Sequence, residues 1–463
     1  MQNEECKTTD GRSCCTFPVA QPLRGELSVA VLAILLLAPA LPVRGDLPAS
    51  AQVHPTIDEA RVVAEGIRKL TGKHLILYTD LPRSEKIDTL PAIFDQAFPQ
   101  WCQYFHISAR EHADWYVVGS LVRDKARFIK CGLMPDNLPA VHQGYFNRGE
   151  LWVFDQSSDY YRRHLLLHEG THAFMTALVG GTGPPWYAEG TAELLGTHRW
   201  QDGRLTLGIM PGSRDEVPQL GRVRLVQDAV AEHRAKHLQA ILDFGPEAHR
   251  ETEAYAWCWA VSALLDMHPR YRDRFRTLDR FAAEGGQLNE VLHRLYADDW
   301  QSLSEEWQLF AVEMEYGYDF SRSAIDFSPG VPLPATGQTV RVAADHGWQN
   351  SGLRLRPGVK YRLTAAGRYQ VGSRPQIWWC EPGGVSIRYY HGRPLGILMA
   401  ALRSEPHRGS GSSGLVRPMA VGLGAMVIPE ETSTLYLKIN HSPGELAGNS
   451  GGLAVRVEVG GTP

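Results

Sequence analysis

Around residues 321–338 (SRSAIDFSPGVPLPATGQ) the chain changes its hydrophobic period. Before it, over 158–310, apolar residues recur mostly at helical spacing. After it they alternate: Leu435, Leu437 and Ile439 with Tyr436, Lys438 and Asn440, then Leu453, Val455, Val457 and Val459 with Ala454, Arg456 and Glu458. A period of 3.6 and a period of 2 belong to different elements, so the two halves cannot share one architecture. The Pro-, Ser- and Gly-rich stretch between them reads as a connection. The expectation is an α+β chain, with a mostly helical unit over 52–325, a linker over 326–338 and an all-β sandwich over 339–463. Ahead of the helical part, His74–Tyr78 (HLILY) predicts a buried strand and 92–105 an amphipathic helix rich in aromatics.

At 463 residues there is chain enough for two or three cores. The net charge is −4 and no Lys/Arg-rich run occurs, which argues against a nucleic-acid partner because that role leaves a basic footprint. Residues 1–51 stand apart. Arg24 precedes an apolar run from Leu27 to Leu41, Pro39 and Pro42 close it, and Ala49-Ser50-Ala51 supplies a small-residue cleavage site. That order predicts a signal peptide and a secreted or periplasmic protein, with a membrane contact only if the segment stays uncleaved. The run is short for a spanning helix of about 20 residues. The cysteines beyond it, Cys102, Cys131, Cys258 and Cys380, show no CxxC pairing and so do not predict a cysteine metal site. Cys102 and Cys131 are the nearest candidates for a disulfide, the alternative being four buried thiols.

Chemistry concentrates at Leu165-Leu166-Leu167-His168-Glu169-Gly170-Thr171-His172. Histidines four apart on a helix share a face and can hold one ion, with Glu169 between them in reach of a water. Zinc in a catalytic site takes three protein ligands and keeps a fourth position open. A turn at 180–185 (GGTGPP) leads into Trp186-Tyr187-Ala188-Glu189-Gly190-Thr191-Ala192-Glu193, which reads as a second helix packed back on the first. Glu189, in its first turn, is the candidate third ligand. Glu193, one turn on, is the candidate acceptor for the free N–H of His168. The alternatives are solvated helix carboxylates. His164 extends the histidine stripe and reads as a residue lining the site, and His198 as an ordinary polar residue.

HEGTH followed by WYAEGTAE resembles the gluzincin metallopeptidases, and the text over about 70–325 resembles a bacterial family of exported gluzincin-like proteins. That resemblance implies a zinc metallopeptidase acting on peptide or protein substrates. His168, His172 and Glu189 would hold Zn2+, and Glu169 would act as general base. It also implies a Tyr on a later helix as oxyanion donor, a place matched by Tyr255. The alternative for Tyr255 is a core aromatic beside Trp257 and Trp259.

Over about 338–460, Gly347-Trp348-Gln349-Asn350-Ser351-Gly352-Leu353, Leu435–Asn440 and Gly448-Asn449-Ser450-Gly451 resemble the small calcium-dependent galactose-binding bacterial lectins. His441 stands where that pattern has Asp, and Gly448 where it has the first loop Asn, so calcium binding is not expected. This module raises the alternative function: a glycan- or surface-binding protein whose peptidase-like part is secondary or inactive. Trp378 and Trp379 are candidate stacking residues or core aromatics.

Overall fold

The structure, a computed structural model, describes residues 56–138, 143–147, 149–372, 377–405 and 411–460. The expected signal segment lies outside them. Among the described residues no helix is long and apolar enough to cross a membrane. The chain is α+β.

Its first sheet has five strands: β1 (Arg68–Thr71), β2 (Leu75–Thr79), β3 (Val117–Val122), β4 (Gly144–Asn147) and β5 (Glu150–Phe154), in the order β1-β2-β3-β5-β4. The central pairings β2–β3 and β3–β5 are parallel, and the outer two are antiparallel. Every residue of β3 is buried, as expected of a strand covered on both faces. Strand β4 forms one edge.

Helix α1 (Leu90–Tyr104) covers this sheet with Phe94, Phe98 and Trp101. Helix α2 (Asp159–Phe174) carries the histidine stripe. Ser158 caps its start by accepting from the Tyr161 amide, and Asp159 sits in the first turn, where a carboxylate suits the helix dipole. A π turn over Met175–Val179 and a left-handed Gly180 end it. Pro185 then opens α3 (Pro185–Gly196), so Glu189 is the fifth helical residue and lies beyond the first turn expected for it. Helix α4 (Arg222–Ala231) packs on α5 (Thr252–Met267), α5 packs behind α3, and α6 (Trp300–Glu313) closes the helical part. Helix α5 is buried along nearly its whole length, including Trp257 and Trp259.

Beyond residue 330 the elements are almost all strands, in two larger sheets of five and six. Leu353, Leu398, Leu435 and Leu437 from one sheet share an apolar core with Leu363, Tyr369, Val455 and Val457 from the other. The stretch between the units is itself packed. Ile325 and Phe327 join Leu309, Trp348, Met399, Leu415 and Tyr436 in a cluster that bridges helices and strands. Val331–Pro332 pairs in parallel with the strand Gln349–Leu355. Cys102, Cys131, Cys258 and Cys380 are all free and buried, so the Cys102–Cys131 disulfide does not form. The two thiols belong to separate hydrophobic clusters.

Candidate metal centre

Two consecutive helices bring the site together. One turn of α2 separates His168 from His172, and α3 returns antiparallel to bring Glu189 beside both. His168 Nε2 and His172 Nε2 lie 3.2 Å apart. Glu189 Oε2 lies 3.3 Å from the first and 3.4 Å from the second. Glu189 Oε2 is buried and has no hydrogen-bond partner. In a tetrahedral site with zinc's nitrogen and oxygen bond lengths, ligand atoms stand about 3.3–3.4 Å from one another. The three donor atoms therefore match the edges of such a site, and their chemistry, two imidazoles and a carboxylate, could hold a metal ion and suits zinc.

Glu169 is almost fully buried on the neighbouring face, and burial raises its carboxyl above the usual range while His168 and His172 pull the other way. A side chain at Gly144, where the edge strand β4 begins, would collide with Glu169 Oε1. The strand backbone thus runs directly over this carboxylate.

Behind the donor set lies Glu193, within reach of two histidines and an arginine. Glu193 Oε1 is 3.3 Å from His168 Nδ1. Glu193 Oε2 is 3.3 Å from His164 Nε2. Both oxygens also accept from Arg222, Nε and Nη2 each at 2.7 Å. Burial alone would raise the Glu193 carboxyl, but Arg222 and His164 hold it well below the usual range. Burial likewise depresses His168, yet the carboxylates of Glu189 and Glu193 outweigh it and lift the metal-free imidazole to about 10. His164 has no exposed surface and faces Glu193, so it does not line an open site as its place in the stripe suggested. His198 is buried too, its Nδ1 on the Gly196 carbonyl at 2.8 Å and its ring stacked on Tyr160.

Tyr255 on α5 is half-buried, its ring centroid 6.1 Å from that of His168. Burial, then the carboxylates of Glu189, Glu193 and Glu169, push its phenol far up, which keeps it a hydrogen-bond donor. All six predicted residues, His168, Glu169, His172, Glu189, Glu193 and Tyr255, thus come from three helices to one place. Arg222 was not foreseen. Its partner Glu193 is 29 residues away, and no local pattern marks an arginine that opens a helix.

In the strand-rich part, Asn449 accepts from the Gly372 amide and donates to the Ala344 carbonyl, so its amide is engaged with backbone. His441 is buried. Trp378 packs partly against the core, while Trp379 is exposed with the Arg368 guanidinium over its ring.

No protein-family model matches this chain, and no curated protein does. Among solved structures, the chain is similar to a PllA-like lectin, the EclA N-terminal domain, at 20% identity. That match covers 26% of this chain and 95% of the other, with a TM-score of 0.20, and carries no argument about fold or function.

Proposed function

We propose that this chain is an exported zinc-dependent peptidase of the gluzincin type, followed by a β-sandwich module. One observation carries the reading: three donor atoms of His168, His172 and Glu189 stand 3.2–3.4 Å apart, with Glu189 Oε2 otherwise unpartnered. Zinc in such a ligand set supplies Lewis acidity and lowers the pKa of coordinated water to about 7. Glu169 is the general base, taking a proton from the attacking water and returning it to the leaving amine. Tyr255 remains protonated and donates a hydrogen bond to the developing oxyanion. Strand β4, paired on one side only among the described residues, offers free backbone groups beside Glu169 where an extended peptide can add as a further strand.

The test is metal content. Purified protein spanning 52–463 is expected to carry about one zinc per chain, in line with a three-ligand catalytic site, and the Glu189→Ala variant far less. Parent protein that takes up no zinc after reconstitution overturns the reading.

A further inference from the structure

Arg222 is the first residue of α4, is 5% exposed, and projects its guanidinium into the space behind the candidate metal centre. It grips Glu193 with two parallel hydrogen bonds of 2.7 Å, a fork that leaves the carboxylate little freedom to rotate. The same carboxylate faces His168 Nδ1 through one oxygen and His164 Nε2 through the other. The outer face of the guanidinium lies over Tyr255, 5.6 Å from its ring centroid. Four helices meet around this Arg222–Glu193 pair: α2 through His164 and His168 beside Glu193, α3 through Glu193, α4 through Arg222 and α5 through Tyr255 beside Arg222.

A metal-bound imidazole turns about its ligand bond unless its other nitrogen is tied down. Here the group placed to tie it is Glu193, a carboxylate only 1% exposed whose Oε1 lies 3.3 Å from Nδ1, and Arg222 holds that carboxylate in one orientation. We infer that Arg222 is a positioning residue for the metal centre, acting through Glu193 to fix the ring of His168. This inference rests on the zinc reading above. It adds a residue that touches neither metal nor substrate, whose geometry rather than charge is what the site needs.

Arg222→Lys separates geometry from charge, because lysine keeps the cation and loses the fork. Zinc affinity of the full mature chain, measured by competition with a chromophoric chelator, is expected to fall about 10- to 100-fold, the range for losing an outer-sphere partner. The visible spectrum of the Co2+-loaded protein, which reports ligand geometry, is expected to change with it. Arg403→Lys serves as a structural control. It breaks a similar fork on the buried Glu305, away from the metal centre, and should lower the melting temperature while leaving both metal readouts unchanged. Parent-like affinity and Co2+ spectrum in Arg222→Lys overturn the inference and leave the zinc reading intact. A parent that binds no zinc overturns both. Should Arg222→Lys fail to fold, Glu193→Gln carries the same test, since it keeps the side chain's size and weakens the grip on both Arg222 and His168. Unchanged affinity there overturns the inference too.

Discussion

Gly144 shows how much the site asks of a single residue. A Cβ there would strike Glu169 Oε1 and crowd its Cγ and Cδ, so it is the carboxylate that has to give way. Gly144→Ala should therefore displace the proposed general base without touching a proposed metal ligand. The expected outcome is zinc content equal to the parent with peptide turnover lowered about 100-fold, the usual cost of misplacing a catalytic group by roughly 1 Å. Metal analysis beside a turnover assay on a screened peptide library checks this. Turnover like the parent's would mean that Glu169 has room the geometry does not suggest. The motif around Glu169 was readable in sequence, but the glycine above it was not, because Gly144 meets Glu169 only through the fold.

Among elements, the packing of α3 on α5 decides where Glu189, the proposed third ligand, is placed. Gly190 sits directly after Glu189, and a side chain there would meet Ser262 Oγ and, at 2.6 Å, the Cys258 carbonyl. Backbone at that distance cannot be moved cheaply. Gly190→Ala should push the helices apart, cost about 1–3 kcal/mol as overpacking does, and shift Glu189 away from the histidines. Thermal denaturation and zinc titration together check this, and both are expected to fall. A variant with parental melting and affinity would show that the helices can part without disturbing the ligand. The helices themselves were legible: the turn at 180–185 and the apolar period around HEGTH predicted two helices packed against each other. What local pattern could not tell was how far α3 begins before Glu189, since Pro185 is as acceptable at a helix start as in the preceding turn.

For the molecule as a whole, the helical and strand-rich parts are joined by buried charge. Glu305 on α6 is 1% exposed and receives Arg403 in a fork, with Ser413 Oγ donating to its second oxygen at 2.8 Å. Its neighbour Glu306 turns the other way, to His268 at 2.9 Å and to the Ile325 amide at 2.9 Å. Lys438 pairs with Glu313, and Tyr390 donates to Glu315 at 3.1 Å. Arg403→Met leaves Glu305 buried without its cation, which should cost about 3–5 kcal/mol. Denaturant unfolding of the parent is expected to be a single transition, and the variant's midpoint should drop accordingly. Two well-separated transitions in the parent would show that the parts are only tethered. Leu435, Leu437 and Ile439 alternate with Tyr436 and Lys438, yet all of Ser433–Ile439 is buried. Tyr436 and Lys438 face the helical part, a contact invisible to a pattern that compares a residue only with its neighbours in sequence.

The amino-acid sequence by itself determined the α+β character, the change from helix to strand after residue 320, and the residue types gathered at His168, Glu169, His172 and Glu189. Each of these follows from local spacing, which the chain carries wherever it goes. Only the tertiary structure decided the distances among the four side chains proposed as donor set and base, the burial of His164, the free state of the cysteines and the grip of Arg222 on Glu193. Those depend on which helix faces which, and packing between elements distant in sequence is set by the whole core at once.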